Sequence, residues 1–354
     1  MRKSHTKPTF SADDASNTVP IEDRLYPLLK HYIGAPQFAK SLMGQAYAML
    51  PTRWRYGASY ERFAEEVERS GEPVWLQQRA EEKLRATLRW AVDTVPAYAE
   101  FKSVLVDGES PGEWLSHFPL LAKQTIKADT MRFVSNALGP QDRLAMHTGG
   151  SLSVPMRVYL HKHVSRAKDF AYNTAFDRIA GVEPNDVILA ARGRSVPGSE
   201  RPGGPIWLWD PIKRYLQLSN NHLGPEHMAR YVDAMREFKP TFLHVYPSAV
   251  EALARWLDAH PAPDVTERIR CVQLFSENVF DYQIDFFERV FGCPVILDYG
   301  HSERSVKAVS RIGDRRYFFW PLYGHVELVD LHGQPVVEPG VLGEIVAGQG
   351  KREG

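Results

Sequence analysis

The feature that most constrains this chain is the rhythm of residues 187–298, where short apolar runs alternate with helical stretches. Residues 187–191 read as a strand, followed by a Gly/Pro/Arg-rich loop from Arg192 to Gly204, then short strands at 206–209 and 215–218. A helix is predicted from Pro225, a residue suited to a first helical position, to Phe238. Next come a strand at 241–245, a helix at 248–257 and a strand at 269–275. A helix at 281–290, closed by Gly292, leads to a strand at 294–298. Such alternation implies an α/β fold with a largely parallel sheet, and it puts ligand loops at the C-terminal ends of the strands.

The flanks read differently. Between Pro20 and Tyr98 the pattern is helical. Leu76, Ala80, Leu84, Leu88, Ala91, Val92 and Val95 recur at steps that place them on one face, and Pro96 stops the run. From Val306 onward strands dominate, at 306–310, 317–320, 325–329 and 344–346, with turns at Gly313-Asp314 and His332-Gly333. The expected organisation is a disordered polar arm (1–20), a helical region (21–143), an α/β nucleotide-binding core (144–305) and a smaller β-rich module (306–354).

Charge excludes some partners. Lys plus Arg and Asp plus Glu both number 43, so no global field favours nucleic acid or an anionic membrane, and an anionic ligand needs a local site. The two cysteines, Cys271 and Cys293, lack metal-type spacing, which points to a reducing compartment and away from disulfides or structural zinc. His161 and His163 have no third ligand at a recognisable spacing. No stretch approaches the roughly 20 apolar residues of a membrane span, and the N-terminus lacks the apolar segment of a signal peptide, so a cytoplasmic protein is expected.

Three loops carry chemistry. Thr148-Gly149-Gly150-Ser151-Leu152-Ser153-Val154-Pro155 offers two glycines for a tight turn and three hydroxyl donors, a nest able to hold a polyphosphate, though also a common connector type. It is not a Walker loop. Tyr299-Gly300-His301-Ser302-Glu303 follows a predicted strand. Glu303 offers a hard oxygen of the kind Mg²⁺ takes beside phosphate oxygens, and Ser302 a donor. Phe275-Ser276-Glu277-Asn278 also follows a strand; it can line a base or carboxylate, or cap the helix beginning near Asp281.

In this order the loops resemble the signature segments of the adenylate-forming enzymes, in particular the phenylacetate–CoA ligase and CapK type. Residues 148–155 resemble that family's Thr-Gly-Gly-Ser/Thr-Thr-Gly-x-Pro loop, and residues 299–303 its Tyr-Gly-x-Ser/Thr-Glu motif. Phe118-Pro119-Leu120-Leu121-Ala122-Lys123 is similar to its Leu-Pro-x-Leu-x-Lys segment, and Tyr246-Pro247-Ser248 to the stretch opening a helix along the acyl pocket. Arg55-Tyr56-Gly57 and Val95-Pro96-Ala97-Tyr98 look like the CapK-type N-terminal region.

The resemblance implies the large N-terminal body of an adenylate-forming enzyme, mostly parallel sheet with helices, plus a smaller β-rich module, ending before a C-terminal lid. It implies ATP and Mg²⁺ as cofactors, coenzyme A or another group as acceptor and a small-molecule carboxylic acid as partner; composition adds no nucleic acid and no membrane span, and a homodimer is a candidate assembly. Thr148, Gly149, Gly150, Ser151 and Ser153 would hold phosphates, Ser302 the α-phosphate and Glu303 the magnesium. Tyr299 and Gly300 would lie along the adenine, Ser276 and Glu277 near the base, and Tyr246, Pro247 and Ser248 along the acid.

Two departures bear on function. Leu152 and Ser153 stand where the family has Thr and Gly, and the chain ends at Gly354, before the family's ribose-binding segment and lid lysine. Two readings follow: an ATP-dependent carboxylate-activating enzyme, and a non-catalytic nucleotide-binding or scaffold protein of capsular polysaccharide biosynthesis.

Overall fold

The computed structural model describes residues 20–25, 28–148, 155–193 and 196–348. Residues 1–19 of the predicted N-terminal arm and residues 149–154 of the first loop lie outside the described residues. Strands β1 (Arg143–His147) and β2 (Arg157–His161) form an antiparallel hairpin carrying that loop at its tip. The chain then runs into helix Lys162–Ala180, stopped by Gly181 in the left-handed conformation at φ 81°, where a Cβ would be strained.

The centre is an eight-stranded sheet. Its members are β3 (Ile188–Ala191), β4 (Trp207–Asp210), β5 (Tyr215–Leu218), β6 (Phe242–Val245), β7 (Cys271–Phe275), β8 (Val295–Gly300), β9 (Lys307–Arg311) and β10 (Asp314–Phe319). They lie in the order β10-β9-β8-β7-β6-β3-β5-β4. Strands β5, β3, β6, β7 and β8 run parallel, β4 is antiparallel on one edge, and β9 and β10 continue the other edge antiparallel.

The sheet is apolar on both faces because helices cover both. Leu189, Leu243, Val272 and Leu297 pack under helices Pro225–Phe238, Pro247–Ala259 and Asp281–Phe291. The alternate residues Ile188, Phe242, Cys271 and Ile296 pack under helix Lys162–Ala180 through Phe176 and Ala180. Each such buried side chain contributes about 1.5–3 kcal/mol, so the apolar runs dictate a three-layer arrangement. Both cysteines are buried free thiols, and burial pushes each up to about 12.

The predicted stripe on helix Pro73–Thr94 buries Leu84, Leu88, Ala91 and Val92 against Tyr98, Trp114, Leu115 and Phe118. A second cluster joins Phe63 to Ala167, Ala171, Tyr172, Leu322 and Tyr323. Helix Lys162–Ala180 is therefore held between the sheet and the helical region.

The strand-rich segment after Val306 is divided. Only β11 (Val326–Val329) and β12 (Glu344–Ala347) form a separate two-stranded sheet, while β9 and β10 extend the main one. The boundary expected at residue 306 therefore does not separate two sheets. Lys307 to Ser310 are buried on a strand flanked on both sides, and the Ser310 hydroxyl accepts the Leu297 N–H at 2.8 Å. Polar residues at these positions make an internal strand read like part of a surface module.

Candidate functional site

Register places three of the sequence-predicted segments side by side. Val245 pairs with Leu274, and Phe275 with Asp298, so the chain leaves β6, β7 and β8 at one edge of the parallel sheet. This carboxyl edge is where α/β sheets bind ligands.

After β6, Tyr246 precedes Pro247, which opens helix Pro247–Ala259 at its first position. The Tyr246 ring meets Phe275 edge-on at 5.0 Å. It also lies so close to Gly193 (φ 64°) that a Cβ there would come within 2.9 Å of it. After β7, Ser276 takes the left-handed conformation at φ 63°, uncommon for a residue with a Cβ. That turn aims Glu277 at the neighbouring helix. Its carboxylate accepts the Ser248 N–H and the Ser248 hydroxyl, each at 2.9 Å. Glu277 therefore caps helix Pro247–Ala259, not the helix at Asp281, where the Gln283 side chain accepts the Phe280 N–H at 3.0 Å. A carboxylate suits this position because unpaired N–H groups and the helix dipole both favour negative charge.

Strand β8 runs two residues beyond the predicted end at Asp298, so Tyr299 and Gly300 are its last residues and not loop; Tyr299 stands edge-on to Tyr317 and Phe319 of β10, at 6.0 and 6.4 Å. Gly300 is tightly seated, since a Cβ would come within 3.2 Å of the Val306 carbonyl oxygen. Beyond it, His301 Nδ1 lies 3.3 Å from the Glu303 carboxylate. Burial pushes the imidazole below its ordinary range, with Glu303 pulling the other way. Glu303 is the part-exposed acid of the loop, and it lines a cleft of about 370 Å³ together with Val95, Tyr98, Phe133, Met156 and His161. Glu303 thus shares a cleft with strand β2 of the hairpin. At the loop end of the hairpin Thr148 and Met156 pair, the Thr148 N–H donating to the Met156 carbonyl at 2.9 Å and the Met156 N–H to the Thr148 hydroxyl at 3.0 Å. Gly149, Gly150, Ser151 and Ser153 lie outside the described residues. Tyr246, Pro247 and Ser248 do not line this cleft.

A layer of ionisable groups under the site escapes sequence reading. Asp298 and Lys307 are almost fully buried and paired, Lys307 Nζ donating to both carboxylate oxygens at 3.1 Å. Burial pushes Asp298 above the usual carboxylate range, and Lys307 opposes that. Asp177 sits beside them, with Gln273 donating at 3.5 Å; burial pushes it up to about 6. His244 packs on Phe275 at 4.3 Å, and burial holds its imidazole well below the ordinary range. The available signal was a charged residue in an apolar strand: Asp298 closes one such run and Lys307 opens the next.

Mg²⁺ keeps water and phosphate ligands and needs one or two carboxylates. The described residues contain no cluster of three acidic, histidine or cysteine side chains able to cage a metal, and Glu303 is the one carboxylate on the lining of the cleft.

No family model matches the chain. Protein CapK of Staphylococcus aureus is 23% identical over 192 residues, which are 53% of this chain and 41% of CapK. Among solved structures, 2-hydroxyisobutyryl-CoA ligase in an open conformation with 2-HIB-AMP and CoA matches 77% of this chain with a TM-score of 0.54 at 17% identity. The same ligase in the postadenylation state with R3-HIB-AMP matches with a TM-score of 0.55 at 16% identity. The fold is that of the adenylate-forming enzymes. The chain spans 65% and 59% of those two ligase chains. No helix among the described residues is long and apolar enough to cross a membrane.

Proposed function

We propose that this protein binds Mg²⁺-ATP at the carboxyl edge of its sheet and activates a carboxylic acid as an acyl-adenylate, for transfer to coenzyme A or another acceptor in the cytoplasm. The observation that carries the reading is the Tyr299–Glu303 segment at the end of β8, with Glu303 lining one cleft together with Met156 and the β2 residues that follow the Gly/Ser loop. In this reading Glu303 binds the magnesium, Ser302 donates to the α-phosphate and Tyr299 lines the adenine. Magnesium, when bound, neutralises charge on the phosphates. The carboxylate of the acid attacks the α-phosphorus and pyrophosphate leaves. The chain's task is to place these groups and offset spread negative charge. Because each Glu277 carboxylate oxygen accepts a bond from Ser248, in this reading Glu277 holds the start of helix Pro247–Ala259 in place and does not contact the base. Tyr246 and Phe275 form the adjoining aromatic wall for the acid.

Leu152 and Ser153 favour a second reading, a nucleotide binder without turnover, since a hydroxyl donor and a flexible backbone position are replaced. Calorimetry and pyrophosphate exchange separate the two. Wild-type protein is expected to bind ATP more tightly with Mg²⁺ than without, and Glu303→Gln to lose that difference. Retention of the full Mg²⁺ effect in Glu303→Gln would remove the assignment. Mg²⁺-dependent binding without exchange for any acid in a broad panel would favour the binder.

A further inference from the structure

Directly behind Glu303 the chain makes its turn at Arg304, which is in the left-handed conformation at φ 54°. No glycine relaxes that conformation, so contacts must hold it. Three of them come from one helix. Lys168 Nζ donates to the Arg304 carbonyl oxygen at 3.0 Å, the Arg304 guanidinium donates to the Ser165 hydroxyl at 2.8 Å, and it pairs with Asp169 at 3.4 Å. Tyr323 donates its hydroxyl to the same Asp169 at 3.2 Å, and the Lys168 ammonium sits 4.0 Å from the centre of the Tyr323 ring. Ser165, Lys168 and Asp169 are spaced so that one helical face presents all three.

These groups are not a surface ion pair. The Arg304 side chain is 18% exposed. Burial, reinforced by the charge of Lys83, pushes Lys168 down to about 7. Sequestering a lysine and an arginine side by side is costly unless both are paired or hydrogen-bonded, and here Asp169, Ser165 and the Arg304 carbonyl supply those partners. Helix Lys162–Ala180 begins immediately after β2, with His161 at its N-cap, so it is the direct continuation of the phosphate-loop hairpin.

We propose that Arg304, held by Asp169, Ser165 and Lys168, is a positioning residue that fixes the Ser302–Glu303 segment against the phosphate-loop hairpin. The proposal builds on the Mg²⁺-ATP reading of the site. Arg304 touches no ligand in this scheme; it sets where the neighbouring Glu303 carboxylate stands.

Two measurements on the full chain test it. Amide hydrogen exchange reads the clamp without any ligand: Arg304→Met should speed exchange at least tenfold across residues 299–305 and leave β6 unchanged. Calorimetry with Mg²⁺-ATP reads the consequence through a double-mutant cycle. Arg304→Met should weaken binding about tenfold in the wild-type background and less than twofold in the Glu303→Gln background. Asp169→Asn, nearly isosteric, should reproduce both effects if Arg304→Met folds poorly. Unchanged exchange at 299–305 overturns the clamp. Equal losses of affinity in both backgrounds overturn positioning through Glu303, because a general structural defect does not depend on that carboxylate. A wild-type protein that binds no Mg²⁺-ATP overturns the function proposed above, while the exchange contrast still decides the clamp.

Discussion

Asp177 carries the clearest residue-scale consequence. Its carboxyl is pushed up to about 6 by burial, against the opposing pull of Gln273, Lys307 and Arg192, whereas an unfolded aspartate titrates near 4. Between about pH 4 and 6 the native state therefore holds more protons than the unfolded state, and stability falls as pH rises through that window. Above pH 6 the cost is constant. Asp177→Asn removes the ionisation and keeps a partner for Gln273, so its advantage over wild type should grow from pH 4 to 6, to about 1–3 kcal/mol. Urea midpoints of the two proteins at pH 4, 5, 6 and 7 measure this, and a pH-independent difference would contradict it. At this scale the sequence was only partly readable. Glu303 stood out because a motif surrounds it, whereas Arg304 follows the motif and its partners lie more than a hundred residues earlier, on a helix whose role in the site appears only when it packs. Ser276 and Arg304 also look unremarkable until their backbone torsions are known.

At the scale of elements, periodicity carried most of the reading and register the rest. Residues 225–238 and 215–218 were legible to the residue because Pro225 and the alternation within Tyr215–Leu218 are local signals. Which strands share a sheet is not local. The run 306–310 reads the same whether it opens a separate module or borders β8, and only the pairing of Tyr299 with Ala308 decides. The loops after β6 and β7 illustrate the same limit. Ser276–Glu277 lies close in sequence to Asp281, yet Glu277 serves the helix thirty residues upstream. Two charge-assisted bonds at a helix N-terminus contribute about 1–2 kcal/mol. Glu277→Ala should lower stability by that amount and loosen the first turn of helix Pro247–Ala259, seen as faster exchange of the Ser248 amide. Glu277→Gln keeps acceptor capacity for one of the two bonds and should lose about half. If Glu277 instead contacted the nucleotide, Glu277→Ala would reduce ATP affinity with no stability change.

For the molecule as a whole, the question is whether the helical region and the sheet body unfold as one. Helix Lys162–Ala180 links them: Phe176 and Ala180 belong to the cluster on the sheet, while Ala167, Ala171 and Tyr172 pack with Phe63 of helix Ala58–Glu68. Tyr172 is the centre of the second cluster, 1% exposed, meeting Trp320 edge-on at 5.0 Å and Tyr323 at 4.9 Å. Its hydroxyl has no hydrogen-bond partner among the described residues, and burial raises its pKa beyond the usual phenol range. Two substitutions then act in opposite directions. Tyr172→Phe removes an unsatisfied buried hydroxyl and keeps the ring, so stability should be unchanged or higher by about 1 kcal/mol. Tyr172→Ala opens a cavity between three elements and should cost about 3–5 kcal/mol. Because Trp320 and Tyr323 follow directly on β10, that loss weakens the seat of the helical region and the edge of the sheet together. The prediction is a single unfolding transition in wild type, coincident by tryptophan fluorescence and far-ultraviolet circular dichroism, that moves to lower denaturant as one in Tyr172→Ala. Two separated transitions in wild type would mean that helix Lys162–Ala180 does not couple the layers. The clamp on Arg304 would then be held by a helix anchored on the sheet side alone.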